Sequence, residues 1–165
     1  MAKKVFFSFH YKPDNWRVSQ VKNMGAVEGQ PIVTPNKWED VKKGGDTAIE
    51  KWIEDNLKGK DCLVVLIGEK TAGRKWVKHE IKEAWKKKKG VLGIYVHNLK
   101  DAGGNQSSMG ADPFASFKVG DEPMTKYAKA YNPPYSTSTY VYDHIKDNIE
   151  SWIEEAIKLR KKAGE

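Results

Sequence analysis

The 165-residue chain has one cysteine, three arginines and no apolar run approaching the length of a membrane span, which needs about 20 residues. A lone Cys62 cannot form an internal disulfide. It sits inside an apolar run, as a buried, inert thiol in a reducing cytoplasm would. The opening stretch MAKKVFFSFHY lacks the length and the small-residue cleavage site of a signal peptide. A cytoplasmic protein with no membrane partner is expected.

The usual nucleotide and metal signatures are also missing. Neither GxGxxG nor GxxxxGK[ST] occurs. The loop after the first apolar run, SFHYKPDNW, contains no glycine, unlike the phosphate loop of a flavodoxin. Where a response-regulator receiver holds its acidic residues, this chain has Ser8, Phe9 and His10, then Ile67, Gly68 and Glu69. That excludes a Mg²⁺ site for phosphotransfer. No serine lies in a GxSxG elbow. His10, His79, His97 and His144 are scattered, with no pair at metal-ligand spacing. No metal and no resident cofactor is expected. His10 and His97 end apolar runs and could line a site; for His97 a surface position is the plainer reading.

The net charge is +7. Basic surfaces attract polyanions, but these lysines are scattered. The one dense run, Lys86–Lys89, closes an expected helix, where cations complement the C-terminal dipole and Gly90 serves as the stop. Nucleic-acid sites interleave arginine with aromatics. Only Arg17 and Arg74 lie outside the C-terminal tail, so nucleic acid is not the expected partner.

A 39% hydrophobic content with six tryptophans supports a core of ordinary single-domain size. KVFFSFHY (4–11), DCLVVLIG (61–68) and GVLGIYVHN (90–98) read as buried strands. TSTYVY (137–142) reads as another, and GQPIVTPNKW (29–38) as at most a short edge strand. Helices are expected at about 15–24, after Gly44-Gly45 to Gly59, at 73–89 and at 143–162, the last followed by a frayed tail. Segment 99–135 carries four of the seven prolines and reads as a long loop or insertion. Strands alternating with helices indicate an α/β, flavodoxin-like doubly wound sheet, mainly parallel, with four to five strands and helices on both faces. Sites in such folds lie at the carboxyl ends of the strands.

One helix breaks its own pattern. In RKWVKHEIKEAW (74–85), Trp76, Val77, Ile81, Ala84 and Trp85 share a face, and Glu80 falls among them. An ionised carboxylate on a buried face is costly unless paired. Two readings stand on geometry: a carboxylate paired with a cation such as Arg74 or Lys3, or a carboxylate at the rim of a cleft beside aromatic walls.

AKKVFFSFHY, KWEDVKK, LIGEKTAGRKWVKHEI and DPF after a Gly-rich loop, in this order and spacing, resemble the TIR-like domains of the Thoeris ThsB family. The resemblance covers residues 2 to about 117; beyond 118 only a closing helix is shared in kind. It implies a single TIR-like domain over 1–165. It also implies cleavage of NAD⁺ at the nicotinamide–ribose bond and a cyclic or conjugated ADP-ribose signal in anti-phage defence. The signal would reach a separate effector protein, and self-association would assemble the site. The matching catalytic position is Glu80. The loop Ser8–Asp14, with Phe9, His10 and Tyr11, matches the nucleotide-facing loop. Trp38 lies in the mobile-loop position, where this chain departs from the usual TIR pattern. Trp76, one turn before Glu80, could buttress it. Taken singly, each of these aromatics reads more readily as core than as a ligand contact. The competing reading is a non-catalytic TIR-like module that binds a nucleotide or a protein.

Overall fold

The computed structural model describes residues 3–29 and 41–164, with backbone only for 11–13. Its centre is a five-stranded parallel sheet in the order β2-β1-β3-β4-β7. β1 spans Lys4–Ser8, β2 Glu28–Gly29, β3 Cys62–Ile67, β4 Gly90–Tyr95 and β7 Ala130–Tyr131. β3 and β4 are buried at every residue, as expected of parallel strands covered on both faces.

Alternate side chains of each strand point to opposite faces, and two cores result. Val5, Phe7, Val64, Leu66, Leu92 and Ile94 pack under α1 (Tyr11–Lys22) and the last helix, α4 (Ser138–Ala163). Phe6, Leu63, Val65, Ile67 and Val91 pack under α2 (Gly45–Leu57) and α3 (Lys75–Lys86). The latter two helices contribute Ile49, Ile53, Leu57, Val77, Ile81 and Ala84 to that core. Each of these larger side chains stabilises the fold by roughly 1.5–3 kcal/mol on burial. Ser8, two residues after Phe6, shares the α2/α3 face.

The structure corrects several expected boundaries. TSTYVY is not a strand: α4 starts at Ser138, five residues before the expected 143. Val141, Ile145, Ile149 and Ile153 are all buried on one stripe, so period-four packing overrides the β-propensity of Tyr140–Tyr142. The fifth strand is instead Ala130–Tyr131, inside the segment expected to be loop. That segment also holds a two-stranded hairpin, β5 (Lys118–Val119) with β6 (Glu122–Pro123), and buries Phe114, Met124 and Ala128. The first helix begins at Tyr11 rather than near 15, with Pro13 in its first turn, where a missing N–H costs nothing. The tail is anchored: Arg160 is 3% exposed, donates to Trp85 O and stacks 4.3 Å over the Trp85 ring. Cys62 is fully buried, as expected, and burial pushes its thiol pKa up.

Gly90 does not stop α3; it opens β4. The stop is Lys88, at φ +62°. Lys89 N–H donates to Ala84 O and Lys88 N–H to Trp85 O, each at 3.0 Å. This is the double hydrogen bond of a Schellman turn, with lysine where glycine is usual. The left-handed backbone costs a non-glycine residue about 1 kcal/mol. Lys88→Gly is therefore expected to raise the melting temperature by about 2–4 °C. Thermal denaturation followed by circular dichroism checks this; an unchanged or lower value would show that glycine's unfolded-state entropy cancels the relief.

Candidate functional site

β1 and β3 are neighbours, and the connections leave them toward opposite edges of the sheet. The carboxyl ends of these strands therefore flank the crevice where doubly wound folds bind ligands. Ser8, fully buried, ends β1 there, and its hydroxyl donates to Glu80 Oε1 at 2.5 Å. Glu80 projects from α3 and is 8% exposed. Burial pushes its pKa up to about 8 against the opposing Ser8 hydrogen bond, and no cation among the described residues offsets this. The paired-carboxylate reading is overturned: Arg74 is exposed at the N-cap of α3, and Glu80 has a hydroxyl for a partner.

The loop leading to α3 is rigidly tied. Gly68 N–H donates to the buried Thr71 hydroxyl at 2.8 Å, and Arg74 N–H donates to Thr71 O. Asp14, 1% exposed in the first turn of α1, lies over this loop. A Cβ at position 68 would sit 2.0 Å from Asp14 Oδ2, so only glycine fits. Arg17, one turn on, holds Asp14 Oδ1 at 2.8 Å. It also donates to Leu99 O at 2.7 Å and Asn105 O at 2.9 Å. Burial raises the Asp14 pKa and Arg17 opposes that rise.

Of the expected site residues, the structure joins Ser8 to Glu80 and brings His10 and Asp14 to the same edge. His10 caps α1, and its pKa is lowered by burial and by Arg74. Phe9 is half-buried against the α1/α4 core, on the sheet face opposite Glu80. Trp76 is partly buried in the α2/α3 core, edge-on to His79 at 5.5 Å and under Lys75 Nζ at 4.8 Å. The hydrogen bond to Glu80 comes from Ser8. Tyr11 begins α1, and its side chain is not described; Trp38 and the rest of 30–40 lie outside the described residues. His97 is not a surface residue: it is 8% exposed, and burial, then Arg17, lowers its pKa.

Two contributors escape sequence reasoning. Arg17 is the first; its signal is the i,i+3 spacing from Asp14. The second is segment 105–110, which runs as a strap over the site loop. Ser107 N–H donates to His97 O at 2.9 Å and Ser108 N–H to Glu69 Oε1 at 3.1 Å. A Cβ at Gly110 would meet Gly68 O at 2.2 Å. An open groove of about 520 Å³ lies beside the strap, lined by Trp16, Gln20, Lys100, Gln106 and Thr137, and does not include Glu80.

The site thus joins a carboxyl group on the helix after the third strand to a hydroxyl from the first strand of a parallel sheet. The family model described as Thoeris protein ThsB, TIR-like domain, matches residues 6–101. The chain belongs to the ThsB TIR-like family. A Bacillus cereus (strain MSX-D12) protein named "Putative cyclic ADP-D-ribose synthase ThsB1" is 37% identical over 119 residues. The match covers 69% of this chain and 62% of that relative, so the chain spans under two thirds of its relative's length. The matched family segment holds Ser8, Asp14, Arg17, Glu80 and His97 together.

A carboxyl group whose native pKa is raised destabilises the fold as pH rises. The unfolded chain ionises Glu80 from its ordinary value of 4.5, whereas the native state holds it neutral to about 8. Stability from this group is complete below 4.5 and falls away between 4.5 and 8, by up to about 5 kcal/mol. Glu80→Gln removes that loss. The variant is expected to unfold like wild type at pH 4.5 and to be the more stable protein at pH 8, by a few kcal/mol in urea titrations. A variant less stable than wild type at pH 8 would show that Glu80 is a structural anchor.

Proposed function

We propose that this chain cleaves the nicotinamide–ribose bond of NAD⁺ and forms an ADP-ribose-derived, cyclic signal in anti-phage defence. Glu80 is the catalytic carboxylate in this reading. The observation that carries it is a buried carboxyl group, held among the described residues by a single hydroxyl and no cation, at the carboxyl edge of a ThsB TIR-like sheet. Such a group costs stability and has a perturbed pKa, the signature of a functional position. The name of the Bacillus cereus relative supports the product class.

Breaking an N-glycosidic bond develops positive charge on the ribose, and a desolvated carboxylate stabilises it strongly. Nicotinamide leaves as a neutral group, so one carboxylate suffices. Exclusion of water at a site this buried favours attack by a nucleophile within the same nucleotide over hydrolysis. NAD⁺ is then a substrate, not a cofactor. The product carries the signal to a separate effector protein, and self-association of the chain completes the site. The reaction fits a cytoplasmic setting; no helix among the described residues is long and apolar enough to cross a membrane.

The competing reading, a non-catalytic nucleotide- or protein-binding module, draws on the same burial: a carboxyl 8% exposed offers little surface to a substrate. Incubation with NAD⁺ at high protein concentration and in lysate of phage-infected cells, followed by mass spectrometry, separates the two. Wild type is expected to release nicotinamide, and Glu80→Gln to release at least a hundredfold less. Equal turnover by folded wild type and variant removes Glu80 from the chemistry.

Only the ionised carboxylate stabilises the cationic transition state, and at a pKa of about 8 it is about one-tenth ionised at pH 7. The rate of nicotinamide release is expected to climb about tenfold per pH unit below 8 and level off above. A rate flat from pH 5.5 to 8.5 would place the working carboxylate's pKa near its ordinary value.

A further inference from the structure

Among the described residues, four buried side-chain polar atoms have no hydrogen-bond partner: His10 Nδ1, Asp14 Oδ2, His97 Nδ1 and Ser107 Oγ. All four lie at the carboxyl edge of the sheet. His10 follows β1, Asp14 lies over Gly68 at the end of β3, and His97 follows β4. Ser107 is bonded through its N–H to the carbonyl of His97. They form an arc across three adjacent strands, a span of about 10 Å at the usual strand spacing. Folded proteins satisfy nearly all buried polar groups, so each exception requires a reason. Four exceptions gathered at the ligand-binding edge of one sheet share a reason.

The chemistry of the arc is specific. Asp14 is fixed by Arg17 through Oδ1, which leaves Oδ2 as an acceptor. The Arg17 guanidinium is itself engaged by two carbonyls and this carboxylate. The two imidazoles each offer one nitrogen, and Ser107 offers a hydroxyl. Arg74 and Lys70 reach only the His10 end. Among the described residues the charged cation acting on Asp14 and His97 is Arg17, already engaged, so this end of the arc lacks the spare cation a phosphate would need. It suits a neutral group with several hydroxyls, the vicinal diol of a sugar above all, because a carboxylate oxygen accepts from a ribose hydroxyl as in dinucleotide folds. The arc's near end, His10, is two residues from Ser8, the hydrogen-bond partner of Glu80. Its far end lies under the strap.

We propose that Asp14, His97 and Ser107 form a second subsite that hydrogen-bonds the ribose hydroxyls of the nucleotide's adenosine half, with the strap 105–110 closing over it. This rests on the nucleotide-processing reading above and deepens it: Glu80 works on one ribose while the arc holds the other. Mispairing is severe at such a site, since a ligand lacking the hydroxyls leaves buried polar groups unsatisfied.

AMP and 2′,3′-dideoxy-AMP, titrated into wild type, His97→Ala and Ser107→Ala by NMR, test this without any turnover. Wild type is expected to bind AMP at least tenfold more tightly than the dideoxy compound. Each variant should reduce that ratio to about threefold or less while melting within a few degrees of wild type. If wild type binds the two compounds equally, or binds neither, or if both folded variants keep the full ratio, the subsite is refuted and the four atoms are served by buried water. Nicotinamide release from NAD⁺, measured on the same preparation, reports on Glu80 separately. Hydroxyl discrimination with no release, at high protein concentration and in lysate of phage-infected cells alike, would sink the enzymatic reading and leave the subsite standing.

Discussion

A single hydrogen bond, from Ser8 to Glu80, joins the first strand to the helix after the third beneath the edge of the sheet. It places an ionisable group where the fold would otherwise set an apolar one. Every neighbouring position on that face of α3 is occupied accordingly: Val77, Ile81 and Ala84 are buried beside Glu80. The carboxyl group therefore subtracts from stability at neutral pH, and the surrounding parallel core has to offset it. That core is deep, with β3 and β4 buried at every residue. A sheet covered on both faces is thus a precondition for the site, as well as its frame.

Around this bond the carboxyl edge is built from close approaches rather than bulk. Gly68 admits Asp14, Gly110 admits the strap, and Arg17 ties the start of α1 to residues 99 and 105. The elements that come together are far apart in sequence. The result is a desolvated sheet edge in which burial lowers the pKa values of His10 and His97 and raises those of Glu80 and Asp14. That electrostatic setting suits chemistry at a neutral leaving group and recognition of sugar hydroxyls.

Strongly patterned residues made much of this legible in the sequence. DCLVVLIG could only be a central strand, and Glu80 betrayed itself by interrupting an apolar stripe. The sequence left open whether it was paired with a cation or set at the rim of a cleft, and the ThsB resemblance needed the other motifs as well as this one. What stayed hidden depended on tertiary contact. Nothing local marks Ser8 as the partner of a residue 72 positions away. Arg17 looks like any helical arginine until Leu99 and Asn105 fold back on it. Val141 in TSTYVY has β-branched chemistry, but its partners are Ile145 and Ile149 one and two turns on, so a helix won. Ala130–Tyr131 is too short to show a pattern and becomes a strand only because β4 offers an open edge. His97 ends a strand, where exposure is usual, yet the strap covers it.

The central claim is that Glu80 is held neutral near physiological pH by burial beside Ser8. A ¹³C NMR titration of the Glu80 side-chain carboxyl in the folded protein reads this directly. The expected midpoint is about 8. A midpoint near the ordinary 4.5 would mean that the carboxylate is solvated or paired, and the account of the site would fail.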